Sequence, residues 1–167
     1  IGAKYGQEYT TRFGFEPDKN PPYLTLALGA GATTPLQMAG AYAVFANGGY
    51  RVSPYLISKV TDSAGKVLSE ARPDRAGTEA TRVIDARNAF LMDSMLRDVA
   101  RYGTAAKASQ LLKRNDIAGK TGTTNDSIDA WFAGYQPKVV GIAWMGYDQH
   151  RNLGNKETGG GLALPIW

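Results

Sequence analysis

The chain contains no cysteine. Disulfides, thiolate catalysis and cysteine-ligated zinc or iron–sulfur centres are therefore excluded. It has a single histidine, which removes multi-histidine metal sites, and no metal or other cofactor is expected. No apolar run approaches the ~20 residues of a membrane-crossing helix. Charge of one sign is not in large excess: 19 basic against 15 acidic residues leave a mild +4. The basic residues are scattered, so there is no nucleic-acid signature. There is no repeat and no low-complexity tract. An initiator methionine and a signal peptide are also missing. The apolar run at Pro165-Ile166-Trp167 makes both ends read as cuts inside a longer protein.

What remains is an ordinary globular composition, 43% hydrophobic and 20% charged over 167 residues. That length suits one domain with a sizeable core. Tyr5, Tyr9 and Phe13 recur every fourth residue, a helical stripe that Gly14 ends. Pro21-Pro22 forces an extended segment leading to Leu24–Leu28. Thr34, Pro35 and Gln37 spell an N-cap, a first-turn proline and a capping box for a helix through Ala46. Asn47-Gly48-Gly49 stops it.

Residues 51–69 read as extended, with a hairpin turning at Asp62-Ser63-Ala64-Gly65. Residues 70–80 are polar and form an exposed loop. Asp85 caps a second helix, with Leu91, Met92, Met95, Leu96 and Val99 as its buried stripe, and Gly103 closes it. Three strands follow, Ile117–Thr124, Ala130–Tyr135 and Val139–Tyr147. Short turns make them an antiparallel meander. The third is apolar on both faces and is expected at the centre of the sheet, with the first outermost. Helices followed by strands give an α+β class.

Four places could carry chemistry. Gly119-Lys120-Thr121 matches the tail of a phosphate-binding loop, but the required earlier glycine is replaced by Arg114, and strand signals follow instead of a helix. Ser63-Ala64-Gly65-Lys66 formally spells S-x-x-K, a nucleophile motif that works when a helix puts both residues on one face. In a hairpin turn they need not converge, so Ser63 reads as a decoy. His150, beside Asp148, falls in a polar turn without a visible nucleophile. Asp126, Asp129 and Glu157 could form a glycosidase pair only if folded into one cleft, and nothing in the sequence ties them together.

The segment Lys120-Thr121-Gly122-Thr123 can also be read as a binding strand. Gly122 lets a substrate backbone approach closely. Lys120 supplies positive charge, and the Thr121 and Thr123 hydroxyls can donate to a carboxylate. Alone, the triplet is a weak signal. It occurs together with Leu26-Ala27-Leu28-Gly29, Thr34-Pro35-Leu36-Gln37, Tyr42–Gly49, Tyr102-Gly103-Thr104, Asp129–Tyr135, Trp144–Asp148 and Thr158–Gly161. In that order and spacing the chain resembles the transpeptidase domain of class A (bifunctional) penicillin-binding proteins, most strongly the type 1a subgroup.

The resemblance implies a partial penicillin-binding/serine β-lactamase-like fold, an antiparallel sheet packed with helices. Residues 1–167 would be the C-terminal part of one transpeptidase domain, with the nucleophile half and the last helix missing. It implies a serine, expected upstream of Ile1, that attacks the penultimate D-Ala carbonyl of a peptidoglycan stem peptide. D-Ala leaves, and an amine from a neighbouring strand resolves the acyl-enzyme. By the same resemblance Lys120, Thr121, Gly122, Thr123, Thr124 and Asn125 bind substrate, and the Thr123 backbone N–H joins the oxyanion hole. Stem peptides and β-lactams are the implied partners. A parent at the outer face of the bacterial cytoplasmic membrane, with an anchor and a glycosyltransferase domain, is implied too. The alternative is a non-catalytic β-lactam- or muropeptide-sensing module that keeps the Lys-Thr-Gly wall. An exposed strand position such as Thr123 is expected to tolerate valine.

Overall fold

A computed structural model describes residues 2–167. Helix α1 (Ala3–Thr11) carries the aromatic stripe, and Tyr9 and Phe13 pack beside Val44 and Ile84. Helix α2 (Pro35–Ala46) begins as its sequence dictates. Gln37 N–H donates to Thr34 Oγ1 at 3.1 Å, while Gln37 Oε1 accepts from Thr34 N–H. The chain then turns through Gly48 and Gly49, both with positive φ.

Strand β1 (Tyr50–Arg51) pairs with β4 (Thr81–Arg82), and β2 (Lys59–Thr61) forms the expected hairpin with β3 (Val67–Glu70). Helix α3 (Ala86–Tyr102) starts on Asp85, whose carboxylate accepts from Arg87 N–H. Helix α4 (Ala106–Leu112) follows, then the meander β5 (Ala118–Thr123), β6 (Ala130–Gln136) and β7 (Val139–Met145). The chain ends in a helical segment, Gly159–Ala163 continued by Leu164–Ile166. The α+β class holds.

Register sorts the side chains of the meander onto two faces. Ala118 opposes Tyr135, and Tyr135 opposes Val140. This face packs on Leu96 of α3 and Tyr42 of α2. One residue along, Phe132 opposes Ala143 and packs with Ile117, Ala105, Ala163 and Leu164 on the other face. Trp167 closes that layer. Its ring meets Phe132 edge-on at 5.0 Å, and its indole N–H donates to Gly141 O at 3.1 Å. The sheet is thus sandwiched between α2–α3 and the C-terminal segment.

One polar network is built into this core. The Tyr135 hydroxyl donates to Asp93 Oδ1 at 2.9 Å, and Arg97 Nε donates to Asp93 Oδ2 at 2.7 Å. Burial, then the hydrogen bond to Asp93 and its charge, pushes the Tyr135 phenol far above its ordinary value. Burial alone pushes Tyr42 up to about 12.

Two expectations need correction, and two further elements had no assignment. The sheet order is β5-β6-β7, so β6 is central, and β7 pairs only with β6 among the described residues. The two-sided apolar pattern of β7 reports what covers its faces, α2 and Trp167, and carries no information about its lateral position. In α3, Leu91 and Met95 are exposed, whereas Ala89, Leu96 and Ala100 are buried. Leu96 packs on Ala118 of β5, Ala100 on Ile117 and Ala89 on Val44 and Ile84, and the two small residues do not stand out in an apolar-size stripe. The segment after Pro21-Pro22 leads into Leu24–Leu28, a 3-10 turn ended by Gly29 at φ 83°. Helix α4 lies in a segment without a clear periodic signal and stops at Lys113 with φ 52°.

Candidate functional site

The Lys-Thr-Gly-Thr segment occupies the second half of β5, where glycines permit close packing. A Cβ on Gly119 would lie 2.7 Å from Ala133 O and from the Phe132 ring. A Cβ on Gly122 would press on Trp131 Cβ at 3.2 Å. On the opposite side, Gly159 sits directly over the Gly122–Trp131 pair, and a Cβ there would collide with both carbonyl oxygens.

The far edge of β5 is free among the described residues. Thr124 N–H donates to Asp129 O at 3.1 Å, in the same register as the ladder. Hydrogen-bonded and non-bonded pairs alternate along an antiparallel ladder. Lys120 and Gly122 therefore direct their backbone groups to β6, and Thr121 and Thr123 direct theirs outward. Two backbone N–H donors thus line an open edge that an extended peptide could extend by pairing.

Side chains reinforce that edge. Lys120 is exposed, and its Nζ donates to Thr121 O at 2.9 Å. Thr121 Oγ1 lies 2.6 Å from Thr104 Oγ1. One hydroxyl proton serves that contact, which leaves the pair with one proton to donate elsewhere. Thr123 Oγ1 accepts from Gly159 N–H at 3.0 Å, so its own proton is also free for a ligand. A lysine ammonium and two spare hydroxyl protons beside outward N–H groups suit an extended ligand bearing a carboxylate.

The neighbouring positions differ. Thr124 Oγ1 accepts from Ile128 N–H at 3.0 Å and Asp129 N–H at 2.8 Å, which holds the turn after the strand. Asn125 is exposed at the start of the 3-10 turn Asn125–Ser127. Sequence reasoning assigned no individual role to Thr104 or Gly159. Their only signal was membership in the ordered runs Tyr102-Gly103-Thr104 and Thr158–Gly161.

The remaining candidates stay apart from this edge or serve structure. Asp62 Oδ1 accepts from Ala64 N–H at 3.0 Å and Lys66 N–H at 2.8 Å, which fixes Ser63 in the hairpin turn. Gly-Lys-Thr lies within a strand, not in a phosphate loop. His150 is exposed outside any regular element. Asp129 accepts from the Trp144 indole N–H at 2.8 Å, Asp126 turns the chain at φ 59°, and Glu157 packs near Gly154. Among the described residues no cluster of three metal-ligating side chains occurs.

Comparison with known proteins identifies the family. Residues 2–166 match the family model for the penicillin-binding protein transpeptidase domain. Penicillin-binding protein 1A of Neisseria lactamica is 52% identical over the whole chain. The chain spans only 21% of that relative's length. Penicillin-binding protein 1A of Haemophilus influenzae, a crystal structure, superposes with a TM-score of 0.93 at 38% identity, over 99% of this chain and 30% of that one. The penicillin-binding protein PonA1 of Mycobacterium tuberculosis gives a TM-score of 0.78 at 26% identity, over 97% of this chain and 47% of that one. The chain belongs to the penicillin-binding protein transpeptidase domain family, among relatives of the class A type 1A group.

Proposed function

We propose that the chain is the substrate-recognition part of a serine-type peptidoglycan D-Ala-D-Ala transpeptidase, with the nucleophile supplied from outside it. The observation that carries this reading is the Lys120–Thr123 strand, which combines a free edge, an exposed ammonium that reaches Thr121 O, and two hydroxyls with protons to spare. A stem peptide lies along β5 as an added strand. Its terminal carboxylate takes the Thr121 and Thr123 hydroxyl protons in the positive field of Lys120. The Thr123 N–H, aimed outward, stabilises the oxyanion when an external serine attacks the penultimate carbonyl. The serine–carbon bond forms, the peptide bond breaks, and D-Ala leaves with a proton. An acceptor amine then displaces the serine and restores it. β-Lactams bind the same edge and stop at the acyl stage.

The parent works at the outer face of the cytoplasmic membrane and carries a glycosyltransferase domain in this reading, which the relatives' type supports. No helix among the described residues is long and apolar enough to cross a membrane. The test is fluorescent-penicillin labelling of the full-length protein that contains this chain. Covalent labelling that falls at least tenfold in Lys120→Ala supports the proposal. Reversible binding without a covalent adduct would instead favour a sensing module.

A further inference from the structure

We propose a second binding site, remote from β5 in sequence, that takes an acidic peptide segment. A cavity of about 510 Å³ is lined by Arg12, Arg51 and Arg82, with Ser53, Thr81 and Asp74. That volume falls in the range of ligand pockets. The three guanidiniums come from separate places: the residue capping α1, strand β1 and strand β4. Among the described residues none of the three is in an ion pair. Each is steadied without a carboxylate. Arg12 lies 4.9 Å over the Tyr9 ring. Arg51 reaches Thr11 O, and Arg82 donates to Gly48 O at 2.8 Å while stacking 4.1 Å over Tyr50. Their charges are therefore held in place without a paired carboxylate among the described residues; Asp85 feels the Arg82 charge from outside the cavity, and Asp74 is the acid in the lining.

The surroundings favour dispersed carboxylates over one compact phosphate. Arg12 caps the C-terminal end of α1, where the helix dipole is negative and a dianion is disfavoured. Asp74 adds to that repulsion and can accept from a peptide N–H or an ammonium. No helix N-terminus lines the cavity. Three separate guanidinium forks match single carboxylates one to one, and the Ser53 and Thr81 hydroxyls can serve the intervening backbone.

The test uses the full-length protein that contains this chain and a fluorescein-labelled peptide of alternating Glu and Gly. Its all-Gln counterpart serves as the control. Anisotropy should show binding of the Glu peptide alone, weakening as salt rises toward about 0.15 M. Arg12→Gln and Arg51→Gln should each lower affinity roughly three- to tenfold. Asp74→Asn should raise it roughly twofold. Arg12→Gln keeps the assay decisive if Arg51→Gln misfolds, because Arg12 is exposed and lies on the outer face of the half-buried Tyr9 ring. Penicillin acylation should stay at the parent rate in Arg12→Gln, which separates this site from the β5 edge. Equal binding of the Gln peptide, or unchanged affinity in Arg12→Gln, overturns the proposal. So does inorganic pyrophosphate displacing the peptide at lower concentration than free Glu peptide does, since the site would then be a phosphate site.

Discussion

The Thr123 hydroxyl oxygen accepts a hydrogen bond from Gly159 N–H across 36 residues of sequence, at 3.0 Å. The contact couples the binding strand to the C-terminal turn and sets which way the hydroxyl proton can point. It exists because Gly159 lacks a side chain where its backbone crosses the Gly122–Trp131 pair.

Gly159→Ala tests that crossing. The new methyl would meet the carbonyl oxygens of Gly122 and Trp131, which are backbone atoms that cannot swing aside. Overpacking of this kind costs about 1–3 kcal/mol. In the full-length protein we expect a lower melting temperature and slower β-lactam acylation, because the turn and Thr123 separate. Denaturation midpoints and acylation rates measure both. A variant of parental stability would show that the crossing is loose.

Alkaline pH should expose the role of the two core tyrosines. Tyr42 is neutral in the folded chain up to about 12, whereas an unfolded tyrosine ionises near 10. Above about pH 10 the unfolded state loses its proton first, so stability falls as pH rises and is fully present below that value. The loss from Tyr42 reaches up to about 3 kcal/mol by pH 12. Tyr42→Phe should flatten the decline in denaturation midpoint between those pH values. A decline of unchanged steepness would place the responsible group elsewhere, with Tyr135 the next to test.

Capping and turn chemistry were legible in the sequence, because they act over four residues. Thr34-Pro35-x-Gln37, Asp85 and Asp62–Gly65 all do in space what their spacing requires. Fold class and the outer position of β5 followed from periodicity. The place of β7 did not, since apolarity on two faces is the same whether a strand is central or covered from above and below. The α3 face was misread for a related reason. Ala89 packs against Val44 and Ile84 and Ala100 against Ile117, and alanine carries little weight in a stripe. At the site, Lys120, Thr121 and Thr123 were readable from one strand. Thr104 and Gly159 reach that strand from 17 and 36 residues away, and only the fold brings them there.

Ser63 supplies a negative test. Its turn is closed by Asp62 and lies in an exposed hairpin, with no helical face to align it with Lys66. The 167-residue chain alone, incubated with a fluorescent penicillin and run on a denaturing gel, should show no labelled band. Ser63→Ala should leave that result unchanged. A band lost in Ser63→Ala would make this turn a nucleophile.

Thr123 itself gives the sharpest test, and the structure changes its design. An exposed strand residue should accept valine with a stability change of roughly 0.5 kcal/mol or less. Here, however, valine also removes the acceptor of Gly159 N–H, and Gly159 is buried. An orphaned buried donor costs about 1–3 kcal/mol. Thr123→Val should therefore lose stability and, separately, the hydroxyl proton offered to the substrate carboxylate. The second loss is worth about 1.5–3 kcal/mol, or roughly ten- to a hundredfold in acylation rate. Thr123→Ser keeps the oxygen and its proton, so both quantities should stay near the parent. Lys120→Ala should acylate more slowly than Thr123→Val, because it removes the ammonium and its bond to Thr121 O. Melting temperatures and second-order acylation rates for the three full-length variants separate folding from binding. If the serine variant is as slow as valine, or if Thr123→Val acylates at the parent rate once folded, the hydroxyl serves the Gly159 contact alone and the carboxylate is bound elsewhere.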